Sequence, residues 1–316
     1  MKDGGFARTR TDQRRTRALV LSGGGGRGAY QVGVVKALLE SGMCFDYIFG
    51  ASVGALNAVM IAQGELERLE ELWCGLRPQD IIRLPSASHL RQLLTGKWLG
   101  MLDTTPLENL IRQQANLGKL KSSPTKVAFF TVDLHSVESR MVTTDSLYTT
   151  EALVESLMAT CAIPVLFPPR RLDGSGQWVD AGLVTNTPIR AALEAGFDEL
   201  IVVLMEPTKK RSPFSNLLQI VARCVDISLY AGARKELDLL ATHCCRCQDG
   251  NGNSTNKKTV LTLFKGEDHE SSHLLEIGPV RSRRLIEQGY LDAMQQISRR
   301  ESQQEATLTY TLADPR

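Results

Sequence analysis

Short apolar runs alternate with helical patterns along most of the chain, and glycines fall where one gives way to the other. Residues 18–22 (ALVLS) form the kind of run a buried strand needs. Six residues, Gly23 to Gly28, follow with five glycines, and a helical pattern then extends over 29–41 until Gly42 stops it. A second buried run covers 45–50, and a second helix starts near Ser52 and ends near Gly64. Strand, glycine turn, helix, strand, turn, helix implies a parallel sheet with helices on its faces.

The pattern continues with an amphipathic helix over 65–76 and a helix opened by Thr105-Pro106-Leu107-Glu108. That sequence predicts a capping box with proline at the first helical position. Strands are expected at 126–135, 138–144, 199–205 and 258–264, and helices at 151–160, 188–195, 213–241 and 280–299. A hairpin turns through Asp173-Gly174-Ser175-Gly176 and ends at Asp180. A Gly/Asn/Ser-rich loop is read at 249–256. The expected organisation is a basic flexible tail (1–16), a catalytic α/β core (17–210) and a C-terminal helical extension with one strand packed on it (211–316).

Composition narrows the classes. Thirty-seven basic against 35 acidic residues leave a net charge of +2, which argues against a nucleic-acid partner. The first 17 residues carry six of the basic and two of the acidic groups, suited to a peripheral contact with anionic lipid. They contain no apolar stretch of the secretory type. The longest uncharged stretch, 47–64, is interrupted by Gly50, Ser52, Gly54, Asn57 and Gln63 and reads as strand, turn and helix rather than a membrane span. Seven irregularly spaced cysteines are not a disulfide framework, so a reducing, cytoplasmic setting is expected. His243-Cys244-Cys245-Arg246-Cys247 lacks a second ligand pair, and neither a metal nor a cofactor is expected.

Three motifs carry chemistry. Gly50-Ala51-Ser52-Val53-Gly54 sets a serine between glycines where a strand turns into a helix, the nucleophile-elbow arrangement. The helix N-terminus beyond it favours developing negative charge. The run Gly23 to Gly28 leaves backbone N–H groups free of side-chain cover, suiting an oxyanion hole held by Arg27. It also matches a dinucleotide fingerprint through Gly23, Gly25 and Gly28 with Asp46 beyond, but a serine elbow after the next strand argues against that use. Trp178-Val179-Asp180-Ala181-Gly182 places a carboxylate at a strand end on a tight loop. For Asp180 to serve as a base near neutral pH it must be buried, which raises its pKa.

In this order, SGGGGRGAYQVGVVKAL, GASVG and VDAGLVTNTPI resemble the patatin-like phospholipase family. ATCAIP at 159–164, Phe167-Pro168-Pro169 and the C-terminal RRLIEQGYLDA are also similar to it, and the likeness spans roughly residues 17–300. It implies a three-layer α/β/α fold with a mostly parallel central sheet and a lipid acyl hydrolase working through a Ser–Asp dyad. Carried over, Ser52 is the nucleophile, Asp180 the base, and Gly24, Gly25, Gly26 and Arg27 form the oxyanion hole. Gly23, Gly28, Gly50, Gly54, Ala181 and Gly182 support these motifs. The family often has aspartate where this chain has Ser22 and glycine where it has Ala181, and glycine reaches positive φ more cheaply.

The expected substrate is a phospholipid or related acyl lipid, with oligomeric state left open. Alternatives are acyl transfer by the same dyad, a triad using His243, His269 or His273, a dinucleotide oxidoreductase, and a non-catalytic lipid-binding module. His89 and His135 have no better claim as the base. The leucine-rich stretch 90–102 reads either as an acyl-channel wall or flap, or as an ordinary core helix.

Overall fold

The computed structural model describes residues 15–95, 99–172, 174–206, 213–246, 258–267, 274–302 and 308–311. The first strand, β1 (Arg17–Leu21), is followed by a short turn and α1 (Gly28–Glu40). Next come β2 (Tyr47–Gly50), α2 (Val53–Ala62) and α3 (Leu66–Gly75), as the glycine punctuation predicts. Helices α4 (Ala87–Leu94), α5 (Thr105–Gln114) and α6 (Leu117–Ser122) lead to β3 (Lys126–Asp133) and β4 (Ser139–Thr143). Then follow α7 (Thr150–Thr160), the hairpin β5 (Arg170–Leu172) and β6 (Ser175–Asp180), the single turn α8 (Gly182–Thr185) and α9 (Ile189–Glu194). The chain continues through β7 (Glu199–Glu206), α10 (Leu217–Arg246), β8 (Lys258–Glu267), α11 (Pro279–Ser302) and β9 (Leu308–Thr311).

Among the described residues all nine strands join one sheet. Its centre, β3-β2-β1-β7-β8, is parallel throughout, while β4, β5, β6 and β9 pair antiparallel at the flanks. Side chains alternate between the two faces, as a two-residue strand period requires. Leu19, Leu21, Ile48, Phe129, Ile201 and Val203 pack with α1, α2, α7 and α11 on one face. Ala18, Val20, Phe49, Phe130, Leu200 and Val202 pack with α9 on the other. Strands buried on both sides read as continuous apolar runs for this reason. The architecture is three-layer α/β/α with a mostly parallel sheet.

Two expectations change. The predicted capping box does not form: Thr105 is already helical, Pro106 follows it, and Asp103 Oδ1 accepts the Thr105 N–H at 2.9 Å. Glu108 is drawn instead to Arg112 and Arg170. The C-terminal region contributes two strands rather than one, and β8 pairs with β7 over eight positions. Helix α11 lies against α1 at a crossing where a Cβ on Gly33 would strike the Ile286 carbonyl and one on Gly289 the Tyr30 carbonyl. The hairpin forms as predicted, although Asp173 lies outside the described residues, as do the loop at 249–256 and residues 1–14. Among the described residues no helix is long and apolar enough to cross a membrane.

Candidate active site

Register along β3 brings the two principal candidates together. Gly50 of β2 pairs with Phe129, and Asp180 of β6 pairs with Thr131, two positions further on. Ala128 has β2 and β4 as its two partners, and Thr131 has β4 and β6, so β2 and β6 lie end to end on the same side of β3. The chain leaves β2 into Ser52 where β6 delivers Asp180. The 128 residues that separate them in sequence are bridged by their shared pairing with β3.

Ser52 holds φ 51° and ψ −126°, a backbone conformation costly for any residue with a side chain. Its N–H donates to Thr160 Oγ1 at 3.2 Å, while that hydroxyl donates to the Phe130 carbonyl at 2.6 Å. The turn is tight because helix and strands nearly touch: a Cβ on Gly54 would meet the Leu21 carbonyl oxygen, and one on Gly50 would come 2.6 Å from the Gly54 oxygen. The segment after α7 anchors both halves of the site, since the Asp180 N–H donates to the Ala162 carbonyl at 2.9 Å.

Asp180 is 2% exposed, as a neutral-pH base requires. Burial raises its pKa from the ordinary 3.8 to about 6, opposed by the Ser52 hydroxyl and the Gly182 N–H. Oδ1 accepts that N–H at 2.8 Å. Oδ2 has no partner of normal hydrogen-bond geometry among the described residues, although the Ser52 hydroxyl is near enough to lower the carboxyl pKa. Catalytic contacts often tighten only when substrate is bound. Ala181 takes φ −73°, which alanine adopts freely, so glycine is not needed there. Cys161 is buried beside the pair, its thiol pushed up by burial and by the Asp180 charge.

The glycine turn stands next to Ser52, with the site of a Cβ on Gly23 only 3.3 Å from the Ser52 Cβ. Its N–H groups are used unequally. Gly23 donates to the Asn186 carbonyl and Gly26 to the Leu274 carbonyl, whereas Gly24 and Gly25 have no acceptor among the described residues. Gly26, expected in the oxyanion set, therefore has its donor engaged by the segment that packs over the turn. Arg27 is engaged by the turn and by α10: Nε donates to the Gly24 carbonyl at 3.2 Å and the guanidinium pairs with buried Asp226 of α10. It ties the turn to that helix.

Several residues here had no sequence signal of their own. Asp226 is one. Asn186 is another, buried with Oδ1 unpartnered beside Gly23 and Gly182. A third set is a buried amide relay in which Trp73 Nε1 donates to Asn57, Asn57 to Gln31, and Gln31 to the Ser22 carbonyl. Asn186 falls within the VDAGLVTNTPI run, which entered only as a whole through the family resemblance.

Ser52 opens onto an apolar cavity of about 140 Å³ walled by α2, α3, α5 and α7, with Met60, Trp73, Ile111 and Leu157 among its lining. Among the described side chains of the leucine-rich stretch 90–102, none lines it. Leu94 and Leu99 are exposed and Leu102 joins the core, because residues 101 and 102 donate to the carbonyls of Val165 and Leu166. Trp98 lies outside the described residues. No described histidine lines the cavity; His269 and His273 lie outside the described residues, and His243 belongs to α10. Asp46 precedes β2 and binds the Arg17 N–H at 2.7 Å, at the opposite end of that strand from the glycine turn. The dinucleotide reading thereby loses its acidic ribose ligand.

The sequence profile of the patatin-like phospholipases matches residues 19–193, which include the glycine turn, the elbow and Asp180. The chain belongs to the patatin-like phospholipase family. An uncharacterized NTE family protein of Mycobacterium tuberculosis is 28% identical over 213 residues, covering 65% of this chain and 33% of that protein. Neuropathy target esterase sws of Drosophila melanogaster is 27% identical over 195 residues, 58% of this chain and 12% of that one. The chain thus spans about a third or less of the length of these patatin-like relatives. The crystal structure of VipD from Legionella pneumophila superposes with a TM-score of 0.49 at 15% identity, over 90% of this chain and 67% of that one.

Proposed function

We propose that this chain is a serine hydrolase of acyl-lipid carboxylic esters, of phospholipase A or lysophospholipase type. The observation that carries the reading is a strained serine at the mouth of an apolar cavity, beside a buried aspartate whose pKa lies near 6. Asp180 takes the hydroxyl proton as Ser52 Oγ attacks the ester carbonyl carbon, and the carbonyl electron pair moves onto oxygen. The free N–H groups of Gly24 and Gly25, with the positive end of α2, receive that oxyanion. Collapse of the tetrahedral intermediate expels the alcohol, which takes the proton back from Asp180, and leaves an acyl-serine. Water, deprotonated by Asp180, then releases the fatty acid and restores the serine. Burial supports the proton transfers because it moves the carboxylate toward the working pH. The family's lipid chemistry and the esterase and lysophospholipase names of its relatives agree with this reading.

Fatty-acid release from mixed phospholipid and lysophospholipid vesicles tests it. Wild type should release fatty acid and label with a fluorophosphonate, and Ser52→Ala should do neither. Asp180→Asn should lose at least about a hundredfold in kcat/KM while remaining folded. An Asp180→Asn enzyme of full activity would overturn the dyad, and an inert wild type would overturn the esterase.

A further inference from the structure

The cavity behind Ser52 is too small for a long acyl chain. A dry apolar cavity of about 150 Å³ takes one benzene. At about 140 Å³, this one is filled by an aliphatic stretch of about six carbons. Anything longer has to leave, and among the described residues a seam lies between α3 and α5. Leu72 of α3, Leu76 just past the C-terminal end of that helix and Leu110 of α5 line the cavity and also border a groove on the outer surface of the same two helices. All three are half-buried, as side chains separating an interior space from an exterior one should be. The groove beyond is far more polar than the cavity, with Arg68, Glu71, Asp80, Arg83, Asn109 and Gln113 on its borders.

We propose that Leu72, Leu76 and Leu110 form an end gate that sets the acyl-chain length the site rewards. A chain held at its carbonyl by Ser52 buries its first methylenes in the cavity and passes between these leucines into the groove. Each methylene inside strengthens binding by about fourfold. Those beyond the gate lie against polar, hydrated groups and add little. Affinity therefore rises with chain length and then levels off where the gate stands. The inference rests on the esterase reading for the anchor at Ser52, but the gate can be read by binding alone.

The test measures calorimetric affinity of Ser52→Ala protein for butyrate, hexanoate, octanoate, decanoate and palmitate, alongside kcat/KM on p-nitrophenyl butyrate, octanoate and palmitate. Leu110→Trp narrows the seam and should move the plateau to shorter chains. It should lower palmitate binding and palmitate-ester kcat/KM by at least about tenfold while leaving the butyrate ester within about twofold. Leu110→Ala should move the plateau the other way, and Leu76→Phe should repeat the tryptophan result from the opposite side of the seam. Length profiles unchanged in all three folded variants, or equal losses on short and long chains, would overturn the gate. Plateau shifts in binding without ester turnover in wild type would leave the gate standing and remove the esterase.

Discussion

Ser52 carries a φ of 51° because three neighbours leave its backbone nowhere else to go: the Thr160 hydroxyl on its N–H and the close approaches at Gly50 and Gly54. Strain of this kind costs about 1–3 kcal/mol. Glycine relieves it and alanine does not, so Ser52→Gly should be about 1 kcal/mol more stable than Ser52→Ala. Denaturant midpoints of the two inactive proteins decide this. Asp180 gives the second residue-scale prediction. Its folded pKa of about 6 lies above the ordinary 3.8, so the native state holds the proton more tightly than the unfolded chain. Stability from this group is therefore complete below about pH 4 and declines as pH rises through about 6, by up to about 3 kcal/mol. Asp180→Asn should raise the unfolding temperature at neutral pH and give no gain in acid. Wild-type kcat/KM should rise with pH through the same region as the base loses its proton, and a flat profile there would contradict the assigned role.

At the scale of elements, the site depends on contacts that join distant helices to the glycine turn. Arg27 and Asp226 are 4% and 2% exposed at their side chains and 199 residues apart in sequence. Removing one partner strands a buried charge, so Asp226→Ala should cost about 3–5 kcal/mol. Activity should fall as well, because the Gly24 carbonyl loses the arginine that holds it. Replacing both partners with Arg27→Met and Asp226→Leu should recover much of the stability without the turnover, a separation visible by pairing chemical denaturation with ester hydrolysis. The α1/α11 crossing is equally exacting. Gly289→Ala places a methyl against the Tyr30 carbonyl and should destabilise by about 1–3 kcal/mol. The extent of α1, α2, α3 and α7 was legible from periodicity and glycine stops, since local sequence decides those. The start of α5 was not, because Asp103 upstream and the cations Arg112 and Arg170 competed for the groups a capping box would use.

For the whole molecule, the C-terminal region completes the fold. Strand β8 covers the edge of β7, and α11 covers the outer side of α1, so the face that positions the glycine turn is unfinished without them. Leu274 closes over that turn by accepting the Gly26 N–H. A chain ending after β7 would expose a flat apolar strand edge, and is expected to be insoluble or to lack a cooperative thermal transition by circular dichroism. A well-folded, active truncated chain would show instead that the core is independent of the extension.

The sequence by itself determined the alternation of strands and helices, the parallel sheet and the two motifs holding Ser52 and Asp180. Each of these follows from local periodicity, glycine placement or short-range turn geometry. Tertiary structure alone decided that β2 and β6 meet end to end on β3, and that Gly26 is engaged while Gly24 and Gly25 are not. It also decided that α2, α3, α5 and α7 wall the cavity. These depend on which surfaces pack together across a hundred residues or more, and apolar composition is the same whether a leucine faces a core, a cavity or water.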